Sequence, residues 1–316
     1  MTLRESAAAK VNLTLEVRGK RPDGYHELQS VVMFASFGDE LSFTPAAPAA
    51  EPSALRAATE AASDASGVTL HTEGPFAEAC AQGGDANLVD VAANAYARHT
   101  GRQINGVFIL TKRIPVAAGL GGGSADAAAA LRLLARAQSD AIAPSQQPNE
   151  TDLAALIPLA REIGADVPVC LFSRAAMMTG VGERLSHLAP ISPLPAVLVN
   201  PNLPLSTRDV FRELQAPPLS ASEETPAPPK FTGFDDILAY AREHPNHLEA
   251  PARRLSPSID DVLAALENAP GAELTRLSGS GPTCFALFRD ANAASAAAEA
   301  IRGTNPGWWV RATSLQ

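Results

Sequence analysis

The stretch VAAGLGGGSADAAAALRLLARA, residues 116–137, constrains this chain more than any other part of it. Four glycines fall within five residues, at 119 and 121–123, directly before an alanine-rich run with helical spacing. Ala127, Ala130, Leu131 and Leu134 share one face of that helix, with Arg132 and Arg136 one turn apart on the other. Ser124 suits the N-cap position and Asp126 the first turn. A dinucleotide fingerprint needs a third glycine where Ser124 stands, and a Walker A loop needs a lysine before Ser or Thr, which GGGSAD lacks. Two readings stay open on these letters alone. Bare backbone N–H groups at a helix N-terminus can cradle phosphate, and small-residue loops also serve as packing turns. Asp126 beside a phosphate would require a compensating cation.

The surrounding chain sets further bounds. At 316 residues two domains are expected, divided near residue 180 into 1–180 and 181–316. A net charge of −9 gives no basic footprint for nucleic acid. Three widely spaced cysteines, Cys80, Cys170 and Cys284, have no metal-ligand spacing and suit a reducing compartment. No apolar run is long enough for a membrane span, so a cytoplasmic protein without nucleic-acid or membrane partners is expected.

Residues 10–18 alternate as a half-buried strand, with Val11, Leu13, Leu15 and Val17 on one face. Pro22-Asp23-Gly24 makes a turn, and strand character resumes over 29–43. Helices are expected at 86–100, with Leu88, Val91, Ala92 and Ala95 inward, and at 152–163, bent at Pro158. Further helices fall at 234–243 and 257–268. The chain closes as strand–turn–strand–helix–strand from AELTRL to WWVRAT. Loops are expected at 45–66, 140–150 and 217–230. His244 and His247 read as exposed loop residues without a metal.

Three short stretches add chemistry. AAAKVNLTLEV sets Lys10 and Asn12 near each other, GADVPV sets Asp166 before a proline, and SGSGPT (278–283) forms a second glycine-serine turn. Taken singly these are an edge charge, a helix cap and a hairpin turn. Taken together they supply what phosphoryl transfer needs: a phosphate cradle, a cation and a carboxylate to receive the alcohol's proton.

In that order the motifs resemble those of the GHMP kinase superfamily. The Asp-Gly-Tyr-His element at 23–26 narrows the resemblance to members acting on 4-diphosphocytidyl-2-C-methyl-D-erythritol, in the non-mevalonate route to isoprenoids. The resemblance implies an α+β fold with an N-terminal domain like ribosomal protein S5 domain 2, a ferredoxin-like C-terminal domain and an active site in the cleft between them. It implies use of ATP and Mg2+, and phosphorylation of the substrate's 2-hydroxyl. Asp166 would be the base and Lys10 its cationic neighbour. Pro115, Val116, Ala117, Ala118, Gly119, Leu120, Gly121, Gly122, Gly123 and Ser124 would bind ATP, with the Ser124 hydroxyl near Mg2+. Asn12, Tyr25, His26, Thr207 and Phe211 would bind substrate, with Ser278, Gly279 and Gly281 closing the centre. Two positions depart from the pattern: His247 stands where Asp is usual, and Val32 where some relatives carry an aromatic. The rival readings are another small-alcohol kinase, of homoserine or mevalonate type, and a non-catalytic nucleotide-binding relative.

Overall fold

The computed structural model describes residues 1–46, 66–82, 86–138, 146–220 and 226–316. Residues 47–65 of the first expected loop, 140–145 of the second and 221–225 of the third lie outside them. In chain order the elements are β1 (Leu3–Asn12), β2 (Glu16–Lys20), β3 (His26–Pro45), β4 (Gly67–Glu73), α1 (Ala77–Gln82), α2 (Leu88–Thr100), β5 (Asn105–Thr111) and α3 (Gly122–Gln138). Next come α4 (Glu150–Ala155), α5 (Ile157–Ile163), α6 (Val167–Phe172), β6 (Ala176–Gly180), β7 (Arg184–His187), β8 (Leu194–Asn200) and α7 (Thr207–Leu214). The chain ends with α8 (Phe234–Glu243), α9 (Glu249–Leu255), α10 (Ser258–Glu267), β9 (Ala272–Leu277), β10 (Cys284–Phe288), α11 (Ala291–Thr304) and β11 (Trp309–Leu315). No helix among the described residues is long and apolar enough to cross a membrane.

Two compact units interleave along the chain. One comprises Met1–Ala7, Asp39–Arg113 and Gly123–Phe172; the other Ala8–Gly38, Ile114–Gly122 and Ser173–Gln316. In the first, β5 pairs antiparallel with the end of β3 (Phe43↔Phe108) and parallel with β4 (Leu70↔Phe108). Phe108 and Leu110 are buried while Val107 and Ile109 face outward, the period-two signature of a sheet with one wet face. The rings of Phe43 and Phe108 meet at 4.5 Å between centroids.

Helix α2 is capped by Asn87, whose side chain accepts from the Val89 N–H, and ends at Gly101 in the left-handed region. It buries Val89, Ala92, Ala93, Ala95 and Tyr96; of the face expected, Ala92 and Ala95 are buried and Leu88 and Val91 half-buried. The expected bend at Pro158 is a break: α4 stops at Ala155, and α5 restarts at Ile157 with Pro158 in its first turn, where its missing N–H costs nothing. Helix α3 is buried almost all round. Arg132 and Arg136, expected on an outer face, are 6% and 7% exposed and share Glu5, at 3.1 and 2.5 Å. Arg132 also donates to the carbonyls of Ser6 and Cys170.

In the second unit β8, β9, β10 and β11 form an antiparallel sheet in the order β11-β8-β10-β9. This is the ferredoxin-like arrangement, with α10 and α11 as its two crossovers. Its apolar face joins Val197, Val199, Ala286 and Phe288 to Ile259, Val262, Leu266, Ala298 and Ile301. The first half of β3 pairs with β2 and β6. Residues 10–18 are not one strand. The backbone leaves β1 at Asn12 and resumes at Glu16, because Asn12 and Thr14 are buried and take up local hydrogen bonds instead of facing water. The Thr14 hydroxyl accepts from Val31 N at 2.9 Å, and its carbonyl accepts from the Ser30 hydroxyl at 2.5 Å.

Candidate active site

The glycine loop is built on left-handed backbone at alternate positions: φ is 52° at Ala117, 73° at Gly119 and 63° at Gly121. Alternation of this kind turns successive N–H groups towards one side and makes an anion-binding concavity. Glycine takes these angles without cost; Ala117 does not, and strain of this sort at a non-glycine residue collects at functional sites. Helix α3 then begins at Gly122, so Ser124 is its third residue and not its N-cap. The helix's free N–H groups thus continue the series that the loop begins.

Lys10 is seated against this loop. It is 4% exposed, its N–H donates to Leu120 O at 2.8 Å, and a Cβ placed on Gly121 would lie 3.1 Å from its Cε. Its ammonium donates to Asn12 Oδ1 at 3.0 Å, and Asn12 Nδ2 donates to the Ser30 hydroxyl at 2.8 Å. The absence of Cβ at Gly121 therefore lets a buried cation share the loop's space. Two residues earlier, a Cβ on Gly119 would come within 2.5 Å of Ser278 O and 2.8 Å of Gly281 N.

The second glycine-serine turn meets the loop directly. Ser278 Oγ donates to Gly119 O at 3.0 Å and accepts from Asn12 N at 3.2 Å, while Thr283 N donates to Ala118 O. Gly279 and Gly281 are left-handed, and the Gly281–Pro282 peptide is cis. Asn246 holds the turn from behind by donating to Leu277 O and Gly279 O, and Glu249 accepts from Leu277 N. No local pattern in NHLE (246–249) signals this role. The Thr207 hydroxyl is 2.8 Å from that of Ser280, and α7 is fixed by the Ser206 cap on Asp209 N. Lys10, Asn12, Thr207, Gly119, Gly121, Ser278, Gly279 and Gly281 therefore converge within one unit.

The β2–β3 hairpin of the same unit carries Tyr25 and His26. His26 stacks on Phe211, 4.9 Å between centroids and 27° between planes. Desolvation, with Lys20 adding to it, pushes the His26 imidazole below its ordinary range, so it is neutral at pH 7. Tyr25 is 65% exposed, and its N–H is held by Asp23 Oδ1 at 3.1 Å. Val32 is fully buried within β3, opposite Ala176. Of the two histidines expected as exposed loop residues, His247 is exposed, its Nδ1 accepting from Val17 N at 3.1 Å, and His244 is half-buried, its Nδ1 3.0 Å from Glu16 Oε2.

Asp166 and Ser124 belong to the other unit. Asp166 is half-buried immediately before α6, and its carbonyl accepts from Cys170 N. The cation that Asp126 requires is Lys112, whose ammonium lies 2.8 Å from Asp126 Oδ2 and 2.5 Å from Asp39 Oδ2. Burial, with Asp39 adding to it, pushes the Asp126 carboxyl up to about 7 against the pull of Lys112. Among the described residues no three His, Cys, Asp or Glu side chains group as a cation site.

Known proteins carry the same plan. The GHMP kinases N terminal domain family matches residues 87–174, and the GHMP kinases C terminal family residues 231–307. A Rhodopseudomonas palustris protein named 4-diphosphocytidyl-2-C-methyl-D-erythritol kinase is 46% identical, covering 100% of this chain and 98% of its own. A Methylobacterium radiotolerans protein of the same name is 45% identical, with 99% of each covered. The crystal structure of a 4-(cytidine 5'-diphospho)-2C-methyl-D-erythritol kinase superposes with a TM-score of 0.69 at 34% identity, covering 99% of this chain and 98% of that one. A homoserine kinase from Cytophaga hutchinsonii shares the fold, with a TM-score of 0.64 at 18% identity over 100% and 96% of the two chains. With the glycine loop, the buried lysine beside it and the second turn all in place, the chain belongs to the GHMP kinases, in the family of 4-diphosphocytidyl-2-C-methyl-D-erythritol kinases.

Proposed function

We propose that this kinase phosphorylates the 2-hydroxyl of 4-diphosphocytidyl-2-C-methyl-D-erythritol with ATP, giving the 2-phosphate and ADP, in the non-mevalonate route to isoprenoid precursors. The observation that carries this reading is the buried Lys10 ammonium, fixed by Asn12 and seated against a left-handed glycine loop. A buried cation at a concavity of N–H donors is suited to charge that develops during phosphoryl transfer. The full-length relatives at 46% and 45% identity supply the substrate.

In this account residues 115–124 hold the ATP phosphates through backbone N–H groups, and Lys10 stabilises the alkoxide as it forms. Asp166 accepts the proton from the alcohol oxygen. His26, stacked on Phe211 and neutral, both donates and accepts along the cytosine edge, and Tyr25 covers the base. Asn12 and Thr207 orient the substrate, and the Ser278–Gly281 turn holds the loop in register. The donor set suits Mg2+ of the kind that takes most ligands from phosphate and water: Ser124 offers a hydroxyl, while Asp126 is engaged by Lys112. When bound, the ion would neutralise phosphate charge. An odd count of three cysteines supports placing the reaction in a reducing cytoplasm.

ADP release from ATP, measured with 4-diphosphocytidyl-2-C-methyl-D-erythritol, homoserine and mevalonate in turn, tests the assignment. Turnover of the cytidylyl alcohol alone is expected; turnover of only homoserine or mevalonate would move the chain to another branch.

The state of His26 gives a second expected result. With its pKa below the ordinary value of 6.5, the imidazole stays neutral as pH falls from 8 to that value and takes up its proton only at lower pH. KM for the cytidylyl substrate should accordingly be flat above pH 6.5 and rise beneath it, with KM for ATP steady. His26→Ala should raise the same KM about tenfold or more and remove that pH dependence; parallel changes in both KM values would contradict a base-reading role.

A further inference from the structure

The buried cluster Asp39–Lys112–Asp126 sits outside the groups that the mechanism uses, yet its three members bracket the nucleotide loop in sequence. Lys112 precedes Arg113, the last residue before the loop segment Ile114–Gly122, and Asp126 lies in the first turns of α3, just beyond it. Asp39 is 0% exposed, Lys112 4% and Asp126 2%. The ammonium bridges both carboxylates, and Asp39 Oδ1 accepts from Arg113 N at 2.5 Å. One lysine therefore ties together the residue that begins the loop, the helix that ends it and a strand of the core.

Stability alone gives no reason for such a cluster. Three buried ionisable groups cost desolvation, and apolar side chains of similar volume usually do as well or better. The cluster is also under-satisfied, since Asp126 Oδ1 is buried with no partner among the described residues. What a bridged ammonium provides, and apolar packing does not, is a fixed geometry between specified backbone points. A loop whose two ends are fixed loses less entropy when it closes on a ligand.

We propose that Lys112 is a positioning residue for the nucleotide loop: by bridging Asp39 and Asp126 it clamps the two ends of residues 114–122, so that the loop's N–H groups are aimed before ATP arrives. This inference rests on the reading of residues 115–124 as the ATP loop. The clamp works through the backbone and makes no contact of its own with substrate.

Asp126→Ala tests it best, because it releases the α3 end while leaving a balanced Lys112–Asp39 pair. Asp126→Asn keeps an acceptor oxygen within reach of Lys112. Asp126→Ser, polar but too short to reach, replaces the alanine variant if that does not fold. In the full-length enzyme, KM for ATP should rise about tenfold in Asp126→Ala, equivalent to about 1.4 kcal/mol of nucleotide binding, with KM for the cytidylyl alcohol within about twofold. Amides 116–122 should exchange with deuterium faster than in wild type when no nucleotide is present. Asp126→Asn should recover most of both effects. Unchanged KM for ATP, or equal losses for both substrates with unchanged exchange in the loop, would overturn the clamp. Failure of the wild-type protein to bind ATP would instead overturn the loop assignment itself.

Discussion

Asp166→Asn is expected to lower kcat by at least roughly 10²-fold, the usual scale for loss of a general base, while the melting temperature and ATP affinity stay close to wild type. The choice of asparagine decides between two roles. Asp166 immediately precedes α6, the place of an N-cap, and asparagine caps a helix as well as aspartate does. It cannot accept the proton of an alcohol. A residue that serves only as a cap would leave Asp166→Asn fully active, and Asp166→Ala would cost about 1 kcal/mol of stability. A residue that serves as base leaves both variants folded and both slow. Steady-state kinetics with calorimetric ATP binding and a thermal melt on the same samples distinguish these outcomes. The loss should fall on kcat and kcat/KM alike, because proton removal belongs to the transition state.

Gly119→Ala should damage the protein in a different way, through the backbone. At φ 73° an L-residue is strained, and its Cβ would stand 2.5 Å from Ser278 O and 2.8 Å from both N and O of Gly281. These are backbone atoms of a turn held by Asn246, so they have little freedom to retreat. Strain and overlap together are expected to cost on the order of 2–5 kcal/mol. That is a large share of the stability of an ordinary domain, about 5–15 kcal/mol. A lower melting temperature should accompany a rise of more than tenfold in KM for ATP, since the loop and the Ser278–Gly281 turn can no longer share their hydrogen bond. Gly123→Ala is the control for stability. Its Cβ meets only the Leu88 side chain, at 3.4 Å from Cδ1 and 4.0 Å from Cγ, and in a helix alanine is favoured over glycine by about 1 kcal/mol. It should melt no lower than wild type.

These two residues mark the extremes of what could be read in advance. Four glycines before an alanine helix announce a loop that something must approach closely. Which glycine is indispensable depends on a turn some 160 residues further along the chain, and no local pattern shows it. Lys10 is legible as a cation for the loop, and the structure seats it against Gly121; Asp166 is proposed as the base on the order of its motif and the needs of phosphoryl transfer. The strand–turn–strand–helix–strand ending follows from strand spacing, whereas its ferredoxin-like sheet is implied only by the resemblance, and Pro158 predicts a bend where the helix breaks.

Other features resist sequence reading for a common physical reason: polar residues that are buried look like polar residues that are exposed. Asn12 and Thr14 fit a wet strand face, yet they bind Ser30 and the Val31 backbone. Arg132 and Arg136 fit an outer helix face, yet they meet Glu5, more than a hundred residues earlier. Lys112 stands in an unremarkable Thr-Lys-Arg segment, and only the partners Asp39 and Asp126 give it a role. For Asp126 the need for a counter-charge was visible, but not its source. Asn246 and Glu249 hold the second turn from behind, and their only signal in the sequence is a four-residue element with no periodicity.

The product itself tests the central claim most directly. After incubation of the wild-type protein with ATP and 4-diphosphocytidyl-2-C-methyl-D-erythritol, phosphorus NMR with carbon coupling should show one new phosphomonoester. It should be coupled to the tertiary C2 carbon, with the cytidine diphosphate intact and one ADP formed per product. A phosphate on another oxygen, cleavage of the diphosphate, or ADP formed without a phosphorylated alcohol would contradict the account.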